Sequence, residues 1–91
     1  MDTDQAETIA LTALGFLAED VQRLGRFLAL TGIGPAELKS EAGSARVLAA
    51  VLDHLMKDES LLLVFSAGSA IAPELIAAAH RQLDGTPREF G

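Results

Sequence analysis

The sequence predicts an all-α fold: a compact orthogonal array of five or six short helices. Three observations carry that expectation. Ala and Leu dominate a chain that is 49% hydrophobic but only 4% aromatic, a composition suited to short, closely packed helices and poor in the β-branched and aromatic density of sheets. Apolar residues recur at helical spacing along most of the length. Gly, Pro and capping residues punctuate it every ten to fifteen positions or so, too often for a long coiled bundle.

The first helix is expected behind Asp4, with Glu7 three residues on as a capping box. Its stripe is Ala6, Ile9, Ala10, Ala13, Leu14 and Leu17, and it ends near Ala18. Asp20 caps the second helix, which turns Val21, Leu24, Phe27 and Leu28 inward and leaves Gln22, Arg23 and Arg26 wet. Gly15 and Gly25 each cost their helix about 1 kcal/mol relative to Ala, a cost expected to be offset by the close approach of a neighbouring helix. Helix two closes at Thr31-Gly32-Ile33-Gly34-Pro35. Gly32 takes the left-handed position of a Schellman ending with Ile33 against Leu28, Gly34 is the next N-cap and Pro35 opens helix three.

Helix three runs from about Pro35 to Ala42, Gly43 ends it, and Ser44 caps helix four. The apolar face of that helix is Val47, Leu48, Val51, Leu52, Leu55 and Met56, with Arg46, Asp53, His54 and Lys57 on the solvated side. Asp58-Glu59 marks a break, although one bent helix running through Asp58 fits as well. Leu61 to Phe65 is apolar all round and reads as a central, buried helix closed by Gly68. Pro73-Glu74 starts the last helix, which carries Leu75, Ile76, Ala79 and Leu83 and closes at Asp84-Gly85. The chain forms one domain over 1–91, ordered over about 4–85, with a frayed tail at 86–91. A short echo links Ile33-Gly34-Pro35-Ala36-Glu37-Leu38 to Ile71-Ala72-Pro73-Glu74-Leu75-Ile76, and shared capping chemistry accounts for it.

Charge and composition narrow the function. Thirteen acidic residues against seven basic give a net charge of −6, which opposes phosphate backbones and anionic lipid surfaces. Without cysteine there is no disulfide framework, thiol nucleophile or Cys-based zinc site. The N-terminus is acidic where a signal peptide starts basic, and the longest apolar stretch, Leu61 to Ala72, is too short and too broken to cross a bilayer. The expectation is a cytoplasmic protein that makes no membrane contact.

Several constellations have spacings that could carry chemistry. Gly32, Ile33 and Gly34 match the turn of the helix-hairpin-helix motif, in which backbone N–H groups meet a nucleic-acid phosphate. Leu38 stands where that motif has a small residue, and the helix that follows holds one Lys and two Glu, so capping is the reading that fits. His54 and Lys57 have the His-x-x-Lys spacing of histidine phosphotransfer domains, with Asp58 where those domains have a small residue. A solvated pairing of His54 with Asp58 accounts for the same residues. His80 and Asp84 repeat that spacing without placing a third metal ligand. Glu19-Asp20 and Asp58-Glu59 sit at helix starts, where carboxylates complement the macrodipole. No serine lies in a nucleophile-elbow setting. The sequence therefore predicts no enzyme, no catalytic residue, no metal and no cofactor.

The runs RLGRFLALTGIGPAEL and AAVLDHLMKDESLLLVF, with the later APE, resemble a short bacterial family carrying only a domain-of-unknown-function label, of the DUF3572 type. The resemblance extends from the first helix to Gly85, and LGRFLALTG is its most specific part. It implies a stand-alone helical protein of about this length, and no activity, ligand or catalytic residue. The expected role is an uncharacterised, non-enzymatic interaction or adaptor module whose partner is another protein or a second copy of the chain. Apolar surface left outside so small a domain would serve it. The candidate surfaces are Leu62, Val64 and Phe65, or the alanine faces Ala49-Ala50 and Ala77-Ala78.

Overall fold

A computed structural model of the protein describes residues 1–84. They form six helices: α1 (Thr3–Ala18), α2 (Val21–Thr31), α3 (Pro35–Glu41), α4 (Ala45–Met56), α5 (Glu59–Ser69) and α6 (Pro73–Leu83). No strand occurs among the described residues, so the protein is all-α as expected. The expected terminator Gly85 and the tail 86–91 lie outside the described residues.

Local cap chemistry sets the helix boundaries. Asp20 accepts N–H bonds from Gln22 and Arg23, Ser44 from Val47 and Asp58 from Leu61. Asp58 has extended backbone (φ −132°, ψ 96°), so α4 and α5 are separate helices rather than one bent rod. At the N-terminus the capping box is Asp2 with Gln5, at 2.8 and 3.3 Å, in place of the expected Asp4 with Glu7. Both pairs fit the template. The earlier one prevails because each added turn brings further backbone bonds, such as Ala6 N–H to the Asp2 carbonyl at 3.1 Å.

α1, α4 and α6 pack extensively on one another and build the core, while α2 and α5 flank them. The small side chains of Ala6, Ala10, Ala13 and Ala79 let these helices approach, and Leu17, Leu48, Leu52, Leu55 and Ile76 fill the space between them. Burial differs from expectation at the Leu61–Phe65 run and at Val21, Leu75, Met56 and His54. Leu61 to Phe65 is not central: in α5 only Phe65 is buried, Leu61 and Leu62 are half-buried, and Leu63 and Val64 are each 52% exposed. The three alanine-lined helices already complete the core, so α5 needs one aromatic anchor to dock. Val21 is 87% exposed because it sits in the first turn of α2, before that helix reaches the core at Phe27. Leu75 and Met56 are likewise exposed at helix ends. His54 is buried, because α4 is covered on both flanks and its interior face is wider than a single stripe.

The glycines also differ from expectation. A Cβ built on Gly15 or Gly25 meets no atom within 4 Å, so no neighbouring helix of this chain explains either residue. Gly68 lies inside α5, and the helix is ended instead by Ala70 in the left-handed region at φ +61°. That conformation costs an L-residue about 1–2 kcal/mol. Ala70→Gly is therefore expected to raise stability by up to about 1 kcal/mol, after the entropy Gly adds to the unfolded chain. Urea denaturation checks this, and a lower midpoint would contradict it. Gly25→Ala, on an open helical face, should likewise gain about 0.5–1 kcal/mol.

No single helix among the described residues is long and apolar enough to cross a membrane. α5 and α6 reach that length only as a pair, bent by 105° at their junction.

Candidate functional site

The Gly32-Ile33-Gly34 turn is built as a helix terminator. Gly32 adopts φ +76° and donates its N–H to the Leu28 carbonyl at 2.9 Å. Thr31 donates its hydroxyl to the Phe27 carbonyl at 2.7 Å and accepts the Ile33 N–H at 3.3 Å. The ending is thus the simple left-handed form, not the expected Schellman motif, because the threonine hydroxyl takes the N–H that would have reached back to Leu28. Ile33 is buried in the core. Both N–H groups that a phosphate would need first are engaged within the chain, and Pro35 has none.

The same device recurs at the end of α5. Ser69 donates its hydroxyl to the Phe65 carbonyl at 2.7 Å and accepts the Ile71 N–H at 3.2 Å, and Ala70 N–H bonds the Ser66 carbonyl at 2.9 Å. Each unit reads Ser or Thr, a left-handed residue, Ile, an N-cap and then proline at the first helical position. The echo between the two segments is therefore a repeated stop-and-restart element. Its second copy works without the Gly-hydrophobic-Gly sequence that suggested phosphate binding.

His54 and Lys57 part company in the structure. Lys57 is exposed and pairs with Asp53 at 2.9 Å. His54 is 7% exposed, and its ring stands edge-on to Phe27 of α2 with centroids 5.3 Å apart. Its Nε2 is buried and has no hydrogen-bond partner among the described residues. Burial pushes its pKa below the ordinary 6.5, and Arg26 adds to that; Asp58 and Asp53 pull the other way. A packed neutral imidazole is not the exposed helical histidine that phosphotransfer from a partner domain requires. His54 borders a cleft of about 800 Å³ with Arg26, Thr31, Asp53, Lys57 and Ser60. The cleft brings the cations Arg26 and Lys57 beside the carboxylates Asp53, Asp58 and Glu59.

His80 approaches Asp53 across the α4–α6 contact at 3.9 Å, an inter-helix pairing that spacing to Asp84 did not foresee. Among the described residues no group of three or more His, Asp or Glu side chains could hold a metal ion. Arg46 of α4 binds Glu37 and approaches Glu41 at 3.7 Å, tethering the short α3.

The candidate interaction surface divides in the same way. Phe65 is buried and stacks at a tilt on Phe16 of α1, centroids 5.2 Å apart, with the Arg23 guanidinium 4.2 Å from the Phe16 ring centre. Phe65 is thus the anchor under the surface and Leu62 its half-buried flank, while Val64 and Leu63 form the surface itself. Ser60, Leu63, Val64 and Ala67 line the outer side of α5 at helical spacing, all exposed. No charged residue occurs from Ser60 to Pro73. Beside this ridge, Thr12, Gly15, Phe16 and Glu19 of α1, Arg23 of α2 and Val64, Phe65, Gly68 and Ser69 of α5 border a groove of about 470 Å³. Ala49 is buried, and Ala50, Ala77 and Ala78 are half-buried against neighbouring helices, so the alanine faces belong to the fold rather than to a free surface.

Among the described residues the geometry is that of six packed helices, with an outer helix, α5, that is partly apolar and uncharged from Ser60 onward. Residues 3–86 match the sequence profile described as "Protein of unknown function (DUF3572)", and the chain belongs to that family. No curated protein and no solved structure matches it significantly.

Proposed function

We propose that this protein is a non-enzymatic interaction module of the cytoplasm, and that the outer face of α5 is its docking surface. The observation that carries the reading is the exposure of Leu63 and Val64, half accessible on a helix that carries no charge beyond its first residue, Glu59, in a chain of net charge −6. Surface elements of small acidic domains normally carry charge along their exposed faces for solubility, whereas α5 has none after its first residue, Glu59. An apolar ridge that the fold leaves uncovered marks a surface used for contact. A nucleic-acid role finds no support in the Gly32–Gly34 turn, whose first two amides are hydrogen-bonded internally.

Photo-crosslinking in cells tests the proposal. A benzophenone side chain placed at Val64 is expected to yield a discrete crosslinked species, whereas the same group at exposed Lys39 of α3 yields none. Equal crosslinking at both positions, or none at Val64, would overturn it.

A further inference from the structure

We propose that the segment 21–41 is an acid-released flap: protonation of His54 lets α2 and α3 lift together from α4 while α1, α4, α5 and α6 stay folded. The inference is independent of any docking role for α5.

The segment is lightly held. Two short links, 19–20 and 42–44, join it to α1 and α4. Phe27 is the one buried residue of α2, α3 has none, and Ile33 in the turn between them is the other buried side chain. The remaining ties lie nearer the surface: the Arg23 guanidinium over the Phe16 ring at 4.2 Å and the exposed Arg46–Glu37 ion pair. Release of this unit gives up few buried contacts, so it is the opening of lowest cost short of unfolding.

His54 sits at the main point of attachment, its ring edge-on to Phe27 with centroids 5.3 Å apart. Its Nε2 is buried and has no hydrogen-bond partner among the described residues. A neutral imidazole tolerates that arrangement, because one ring nitrogen carries no hydrogen. The imidazolium has an N–H on both nitrogens, so the charged ring must place a donor where no acceptor stands. Lifting α2 removes the Phe27 ring and lets water reach that nitrogen.

The charges around the ring divide in the same sense. Burial disfavours the charged form and Arg26 adds to that, whereas Asp58 and Asp53 favour it. Of the charged groups lining the cleft, only Arg26 departs with α2. Asp53, Asp58 and Glu59 stay with α4 and α5, as does Lys57, which is paired with Asp53 at 2.9 Å. Opening therefore takes a cation away from the imidazolium and leaves it among carboxylates. From α6, His80 approaches Asp53 at 3.9 Å, so the effects of the two histidines must be separated.

Amide hydrogen exchange followed by NMR at about pH 7 and about pH 5.5, either side of the ordinary histidine value and corrected for the intrinsic pH dependence of exchange, is the test. Amides of 21–41 are expected to open at a lower free energy than those of α1, α4 and α6. Their opening constant should rise on acidification by up to about tenfold, the limit for one proton per pH unit below 6.5. His54→Leu and His54→Gln, neither of which takes up a proton, should each flatten that rise. Arg26→Gln should shrink it, since the closed imidazole then protonates more readily. His80→Gln should leave it unchanged. One opening free energy shared by all six helices, an opening of 21–41 that ignores pH, or a rise that survives both His54 variants would overturn the flap.

Discussion

Replacing Phe27 by Ala is expected to destabilise the protein by about 3–5 kcal/mol, most of the stability a domain of this size possesses. Phe27 is the one fully buried residue of α2, and no atom of its side chain is accessible. Its ring also stands edge-to-ring with His54, so truncation opens a cavity beside an imidazole that already has an unpartnered buried nitrogen. The half-buried Leu24 and Leu28 remain but cannot refill that space. α2 and α3 should come away first, since α3 has no buried residue of its own. Urea denaturation gives the overall loss, and native-state hydrogen exchange should show amides of residues 21–41 losing protection before those of α1, α4 and α6. Phe27→Leu, which keeps most of the volume, should lose no more than about 1.5 kcal/mol. A loss below about 1 kcal/mol for Phe27→Ala would show that α2 is held by something other than its single aromatic anchor.

Acidification should destabilise the protein through His54 before its carboxylates titrate. The folded state holds this imidazole neutral because burial disfavours its charged form, while in the unfolded chain it takes up a proton near 6.5. The unfolded state therefore binds more protons once pH falls below about 6.5. Stability is intact above that value and declines as pH drops toward the lower folded-state pKa, with a slope of at most about 1.4 kcal/mol per pH unit for one proton. Asp58 and Asp53 reduce the effect, and Arg26 opposes protonation. His54→Leu should abolish the decline between pH 7 and 5.5. It should also stabilise the protein at pH 7 by about 1–3 kcal/mol, because a buried polar atom without a partner is removed. Parallel pH profiles for the two proteins would show that the imidazole is protonated equally in the folded and unfolded states.

The helices were readable because their ends are written in local chemistry. Asp20, Ser44 and Asp58 accept the orphan N–H bonds of the turns they precede, and Pro35 and Pro73 can begin a helix but not continue one. Burial was harder to read because it depends on neighbours. Leu61 to Phe65 is the most apolar run in the chain, yet it lies outside, since Ala6, Ala10, Ala13 and Ala79 had already let α1, α4 and α6 close over the core. Apolar residues need not be inside when the interior is full. His54 did leave a trace: Val47, Val51 and His54 follow one another at four and three residues, a single helical stripe with one polar member. The neighbouring carboxylates Asp53 and Asp58, which suit a solvated imidazole, obscure that spacing. The groove was legible only in part. Gly15 signalled a close approach, yet a Cβ built there meets no atom within 4 Å, so the packing that the residue suggested is not made by any described part of this chain.

Photo-crosslinking in cells, scanned along the outer side of α5, tests most directly whether that helix is the working surface. A benzophenone side chain at Leu63, Val64 or Ala67, all exposed, should give a discrete crosslinked species, while the same group at Lys39 of α3 gives none. Crosslinking confined to other faces, or equal at every position, would contradict the account.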